Sequence, residues 1–243
     1  MLIRREQLKV FEQEAEVNFQ RELIQHAFKF APAHCATAGE LGIRQLVRIA
    51  VERARKCGFT NRGPIRLYLE LMLILGASFE TDPQCAWTIE CLHPGNKEDQ
   101  MIRAERLFDG TAGYAAAVSG PGNCHALKAL NCLGALRVED VLFHNPVSEW
   151  EWLWRARFLH PERFDYVGEE AVRALVPLCS SNGALLIAMF VFGHGVQTDP
   201  QFPWVAAALD LTAPAIKEDA TGRLVAGIRQ YALSISGSIR GGA

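Results

Sequence analysis

A stretch of this chain is written twice, and the duplication limits what the chain can fold into more than any other feature. Leu71-Met72-Leu73-Ile74-Leu75-Gly76, then Thr81-Asp82-Pro83-Gln84 and Trp87, returns as Ala188-Met189-Phe190-Val191-Phe192-Gly193, then Thr198-Asp199-Pro200-Gln201 and Trp204, at a constant offset of 117. Upstream, Pro32, Gly39, Glu40, Arg44, Leu46 and Val47 match Pro161, Gly168, Glu169, Arg173, Leu175 and Val176 at an offset of 129, so the second segment is shorter by about a dozen residues. Two divergent segments with the same order of apolar run, glycine, Asp-Pro cap and tryptophan predict two similar units packed against each other.

The periodicity within each segment is helical. Leu8, Phe11, Ala15, Phe19, Leu23, Ala27 and Phe30 recur at steps of three and four, which predicts one amphipathic helix over 5–30. Pro32 ends it. A second helix is expected over 40–56, with Leu41, Leu46, Ile49, Ala50 and Val51 inward and Gly58 at its C′ position. Thr60 or Asn61 can cap a third, central helix ending at Gly76, on which Arg66 and Glu70 can pair. Asp82 with Pro83 opens the next helix, which carries Trp87. Lys97 to Phe108 and Asn123 to Leu136 read as further helices, separated by a short apolar run and a turn at 119–122. The second segment predicts helices after Gly168, over 182–192, after Asp199 and over 214–233, with a frayed tail over 234–243. The fold class is therefore all-α, a helical bundle-like fold with two divergent copies of a helix-turn-helix unit in pseudo-symmetric arrangement. Its parts are 1–108, a bridging region rich in Trp over 109–159, and a shortened unit over 160–243.

The bridge is ambiguous between helix and strand over 137–158, because Trp150, Trp152 and Trp154 alternate. Glu149, Glu151, Arg155 and Arg157 suit an exposed helical face, which favours a helix capped by Ser148. Trp150 and Trp154 share a face and Trp152 points away from it. With the first two in the core, Trp152 is left among charges as an interface anchor, with Glu149, Glu151 and Arg155 around it. Core packing of all three is the competing expectation.

Composition narrows the function classes. There are 25 basic and 27 acidic residues without long single-sign blocks, which gives no electrostatic case for nucleic acid or an anionic membrane. The first residues run directly into charge and the longest apolar stretch, from Ala184, is far short of the roughly 20 residues that cross a bilayer, so a cytoplasmic location is expected. Seven cysteines without C-x2-C spacing read as reduced thiols. The histidines make no metal-binding pattern, and no nucleophile elbow or phosphate loop is present, so neither metal nor cofactor is expected. Gly193-His194-Gly195 offers one candidate base in a sharp turn. An enzyme with a site between the units would draw on His194, Asp199 and Asp82; helix capping accounts for the two aspartates without chemistry.

The pattern Leu69-x-Leu71-Met72-x2-Leu75-Gly76-x2-Phe79-x2-Asp82-Pro83-x3-Trp87 behind a long N-terminal helix resembles a group of small bacterial proteins encoded beside secreted toxins and the spike or adaptor proteins of type VI secretion systems. The resemblance covers 1–108 well and 160–230 loosely, and the second segment departs from it at Ala188 and Val196. It implies a non-enzymatic, protein-binding accessory role: an immunity protein that occludes an effector or toxin, or a chaperone or adaptor that holds one for loading. It carries over no catalytic residue. Apart from the resemblance, a purely structural scaffold or a homodimer is a third possibility.

Overall fold

The computed structural model describes residues 5–142, 148–179, 182–210 and 217–241; side chains are described over 11–142, 148–179, 182–210 and 220–239. The chain is an all-α, bundle-like fold, and among the described residues every regular element is helical. The helices are α1 (Arg5–Phe30), α2 (Pro32–Lys56), α3 (Arg62–Leu75), α4 (Ile89–Leu92), α5 (Gln100–Ser119), α6 (Cys124–Gly134), α7 (Glu149–Leu159), α8 (Pro161–Val167), α9 (Glu169–Arg173), α10 (Gly183–Phe192), α11 (Pro203–Leu209) and α12 (Lys217–Gly241).

Local chemistry sets most of the boundaries. Helix α2 breaks at Gly39 (φ 77, ψ 160), so it is a short helix followed by a longer one. The break sets the inward phase at Ile43, Leu46, Val47, Ala50, Val51 and Ala54, and Leu41, expected inside, is exposed. The helix closes in a Schellman turn, with Gly58 N–H on Arg55 O and Phe59 N–H on Ala54 O, both at 2.9 Å. Helix α3 buries Ile65, Tyr68, Leu69, Leu71, Met72 and Leu75, as its nearly unbroken apolar content requires. Glu70 on its flank takes His26 of α1 at 2.6 Å, with Arg66 farther off at 3.7 Å. Helix α10 is buried along almost its whole length, and Asn182 caps it through Leu185 N–H at 3.1 Å.

Several expectations are corrected. The apolar stripe of α1 is buried only at Phe19, Leu23 and Ala27, because α2 and α3 cover its second half; Phe11 and Phe30 face out, and the side chain of Leu8 lies outside the described residues. The run Tyr114 to Val118 is no separate element but the last turns of α5, which Asp99 caps. After Asp82 the chain makes a 3-10 stretch over Pro83–Thr88 before α4. The bridge is helical as α7, and Val138–Val141 is a 3-10 turn; Phe143 falls outside the described residues. Over 234–241 the expected frayed tail is helical, with 242–243 outside the described residues: α12 continues there because it lies along α6, and Ser236, buried there, satisfies its hydroxyl on Leu233 O at 3.1 Å. The described part of that helix begins at Lys217, and its expected start over 214–216 lies outside the described residues.

Two apolar cores form, one from α1, α2, α3 and α5, the other from α6, α7, α8, α10, α11 and α12. The bridge is thereby divided: Val118 belongs to the first core, and Leu133, Val141 and Trp152 to the second.

All seven cysteines are free thiols, and burial pushes Cys35 up to about 11 and Cys85 up to about 12. Cys124 is the exposed one. Brief iodoacetamide treatment of the native protein is expected to give one fast adduct, at Cys124 by peptide mapping, with Cys35 and Cys85 modified only in denaturant. Rapid native alkylation of Cys85 contradicts its burial.

Candidate functional site

The two written-twice segments meet where each ends its apolar helix. Gly76 (φ 98) and Gly193 (φ 102) stop α3 and α10 in backbone conformations that favour glycine, and they pack on one another's helix ends. A Cβ on Gly193 would sit 2.8 Å from Leu75 O, and one on Gly76 would collide with Phe192 O. No side chain fits at either place.

Into this contact each segment sends its aspartate. Asp82 Oδ1 accepts the N–H of Gln84 at 2.8 Å, the capping bond expected from sequence, while Oδ2 accepts the N–H of His194 at 2.7 Å in the other segment. Asp199 does the same in reverse, taking Gln201 N–H at 2.9 Å and Ala77 N–H at 2.7 Å. The glutamines cross as well: Gln84 Nε2 donates to Met189 O at 3.1 Å and Gln201 Nε2 donates to Met72 O at 2.9 Å. Each bond has its counterpart at the 117 offset. The aspartates therefore cap their own turns and also tie the two segments together.

Burial pushes the Asp82 carboxyl up, but bonds from the His194 side chain and backbone and from Gln84 N–H outweigh it, and the group ends below the usual carboxylate range. For Asp199 burial prevails over the bonds from Ala77 and Gln201, and the group ends above that range. The difference tracks the neighbour: His194 stands over Asp82 where Ala77 stands over Asp199.

The proposed catalytic grouping is only partly assembled. His194 Nδ1 lies 3.4 Å from Asp82 Oδ2 and its Nε2 lies 3.4 Å from Thr81 Oγ1, so His194 and Asp82 are together. Asp199 is committed to Ala77 and Gln201. Three N–H groups already converge on Asp82, from Gln84 N, Gln84 Nε2 and His194 N, so its geometry serves to hold the turn.

Behind the glutamines lies a polar layer that the sequence reading missed. Gln201 points both Nε2 hydrogens at Met72 O and Asp199, which leaves Oε1 toward His34 Nε2 at 2.8 Å. An amide oxygen only accepts, so His34 carries its proton on Nε2, and Nδ1 accepts from the Tyr231 hydroxyl at 2.8 Å. Burial lowers the His34 pKa, keeping the ring neutral. At the matching place Gln84 Oε1 accepts from Arg163 Nε at 3.3 Å, and Arg163 Nη1 donates to the Tyr114 hydroxyl. Tyr114 and Tyr231 are themselves 117 apart, and His34 and Arg163 are 129 apart, the two offsets found in the duplicated sequence. That numerical agreement was the available signal. A neutral imidazole thus stands on one glutamine where a guanidinium stands on the other.

His34, Arg163, Tyr231 and His160 line one cleft of about 310 Å³ between the segments, with aliphatic and aromatic walls.

The interface anchor expected at Trp152 is corrected. Trp152 is 0% exposed: its indole N–H donates to Val172 O at 3.0 Å, and its ring meets Phe190 edge-on. Because residues 150 and 154 lie on the opposite side of α7, burying Trp152 turns them outward; Trp150 is 72%, Trp154 53% and Phe158 58% exposed. Trp154 and Phe158 stack at 5.6 Å, and the Arg155 guanidinium lies 5.5 Å from the Trp154 ring centre. Glu149 pairs with Arg173 on α9 and is exposed, and Glu151 and Arg155 are half-buried beside the row. Among the described residues no helix is long and apolar enough to cross a membrane. Comparison with known proteins returns no match to the chain among family models, curated proteins or solved structures.

Proposed function

We propose that this chain is a protein-binding accessory of a bacterial toxin or type VI secretion system, an immunity protein that occludes its effector with the outer face of α7. One observation carries the reading: Trp150, Trp154 and Phe158 stand at i, i+4 and i+8 on one helix as an exposed aromatic row. Exposed aromatics of this kind are the side chains that dominate binding energy when a partner desolvates them. The Arg157–Asp165 pair at 3.1 Å and the Glu149–Arg173 pair border the row and supply a polar rim. The occupant is a folded protein surface, and inhibition follows from covering the effector's working face. The assignment to an effector comes from the family resemblance; the aromatic row supports a protein partner.

The test is co-expression with the products of the genes that flank the chain's own. Trp150→Ala with Trp154→Ala is expected to weaken the complex by roughly 1,000-fold, since each anchor contributes about 2 kcal/mol. Thermal stability should be unchanged because both rings are exposed. A double variant that binds and protects cells as well as the parent overturns the proposal. A complex in which the effector stays active replaces inhibition with chaperoning, and a dimer that dissociates in the double variant assigns the row to self-association.

A further inference from the structure

The cleft between the two segments contains hydrogen-bond donors that, among the described residues, have no acceptor. Arg163 is 5% exposed and His160 6% exposed, and both line the cleft. Arg163 spends Nε on Gln84 and Nη1 on Tyr114, both neutral, and among the described residues Nη2 has no acceptor and no carboxylate stands within 4.0 Å of the guanidinium. The nearest bonded anion is Asp82, one glutamine removed. A buried cation without its own counter-ion is costly, and the usual remedy is an anion beside it.

His160 adds a second donor. Its Nδ1 accepts the N–H of Arg163 at 3.3 Å as the cap of α8, so the neutral ring carries its hydrogen on Nε2. Burial first, then the neighbouring Arg163 charge, lower its pKa to about 4, which keeps that tautomer neutral at pH 7. Glu162 approaches Nδ1 at 3.4 Å, the side of the ring away from Nε2. Among the described residues Nε2 has no acceptor. The remaining wall is mostly apolar, including Leu130, Leu133, Phe192 and Ile235.

We propose that this cleft binds a small amphipathic monocarboxylate, whose carboxylate takes hydrogen bonds from Arg163 Nη2 and His160 Nε2 while its hydrocarbon part lies against the apolar wall. One fixed cation matches one negative charge, and the apolar wall excludes a fully hydrated anion such as free phosphate. A volume of about 310 Å³ is at the small end of ligand pockets, which suits a chain of roughly eight carbons. Binding here joins the two segments at the point where their matching residues differ in charge, and it does not depend on the α7 reading.

The probe is octanoate, titrated calorimetrically into the full chain, with octan-1-ol and inorganic phosphate as controls. Octanoate is expected to bind one to one, octan-1-ol roughly 10- to 100-fold more weakly for want of the charged hydrogen bonds, and phosphate not measurably. Arg163→Met should lower octanoate affinity by a similar factor. Since Arg163 also holds Gln84 and Tyr114, a second variant keeps the test decisive if that one fails to fold: Ala126→Phe, on the half-buried cleft wall, fills the space and should abolish binding in a folded protein. No binding of octanoate, equal binding of octan-1-ol, or unchanged affinity in Ala126→Phe each overturns the proposal.

Discussion

Replacing Asp82 with alanine is expected to destabilise the protein by about 3 kcal/mol, well beyond the loss of an ordinary helix cap. A cap alone is worth about 1 kcal/mol. Asp82 is 2% exposed and its two oxygens receive N–H groups from two parts of the chain, Gln84 on its own turn and His194 across the contact. Removing it strands both donors. For a chain of this size about 3 kcal/mol lowers the melting temperature by roughly 6–12 °C, which calorimetry resolves. A loss near 1 kcal/mol would mean that only the local cap matters.

The pH dependence provides an independent check on the same residue. The folded pKa of Asp82 is depressed, so its contribution is present above its unfolded pKa and is lost as pH falls through the lower folded value. The deficit of Asp82→Ala should therefore be largest at neutral pH and narrow below about pH 4. Asp199 has the opposite sign: its folded pKa is raised, so protonation favours the folded state and its contribution weakens as pH rises through that value. The two equivalent carboxylates thus oppose each other in acid, and a single-residue difference, His194 against Ala77, is the physical origin.

These residues also show how far the sequence alone carries. The offsets of 117 and 129 located the matching turns, and the Asp-Pro pairs were legible as caps because capping is a local interaction within three residues. Their second bonds were not legible, since nothing local says which distant N–H faces the other oxygen. The same limit concealed the cleft: His34 and Arg163 are unlike residues, and their equivalence shows only after Tyr114, Tyr231, Gln84 and Gln201 are found on them. Helices are legible because a 3.6-residue period is written in consecutive residues; the phase of α2 and α7 is not, where a kink at Gly39 or alternating tryptophans leave two faces of similar apolar character.

Helix α7 supplies the sharpest discrimination between burial and binding. Trp152→Ala is expected to cost about 3–5 kcal/mol, the range for deleting a large aromatic from a closed core, because the ring is fully enclosed against Phe190 and its N–H holds Val172 O. Trp150→Ala, two residues away on the same helix, should fall within about 0.5 kcal/mol of the parent, since that ring is already mostly in water. Urea denaturation of both variants measures the contrast directly. Helical geometry forces the pairing of outcomes: residues 150 and 152 face nearly opposite ways, so the chain can commit one tryptophan to its core only by presenting the other to solvent. A strongly destabilising Trp150→Ala together with a mild Trp152→Ala would reverse the orientation of α7, and with it the aromatic row on which partner binding rests. The expected order separates the two roles, because a core residue shifts stability in the isolated protein, whereas an interface residue shifts affinity and leaves stability where it was.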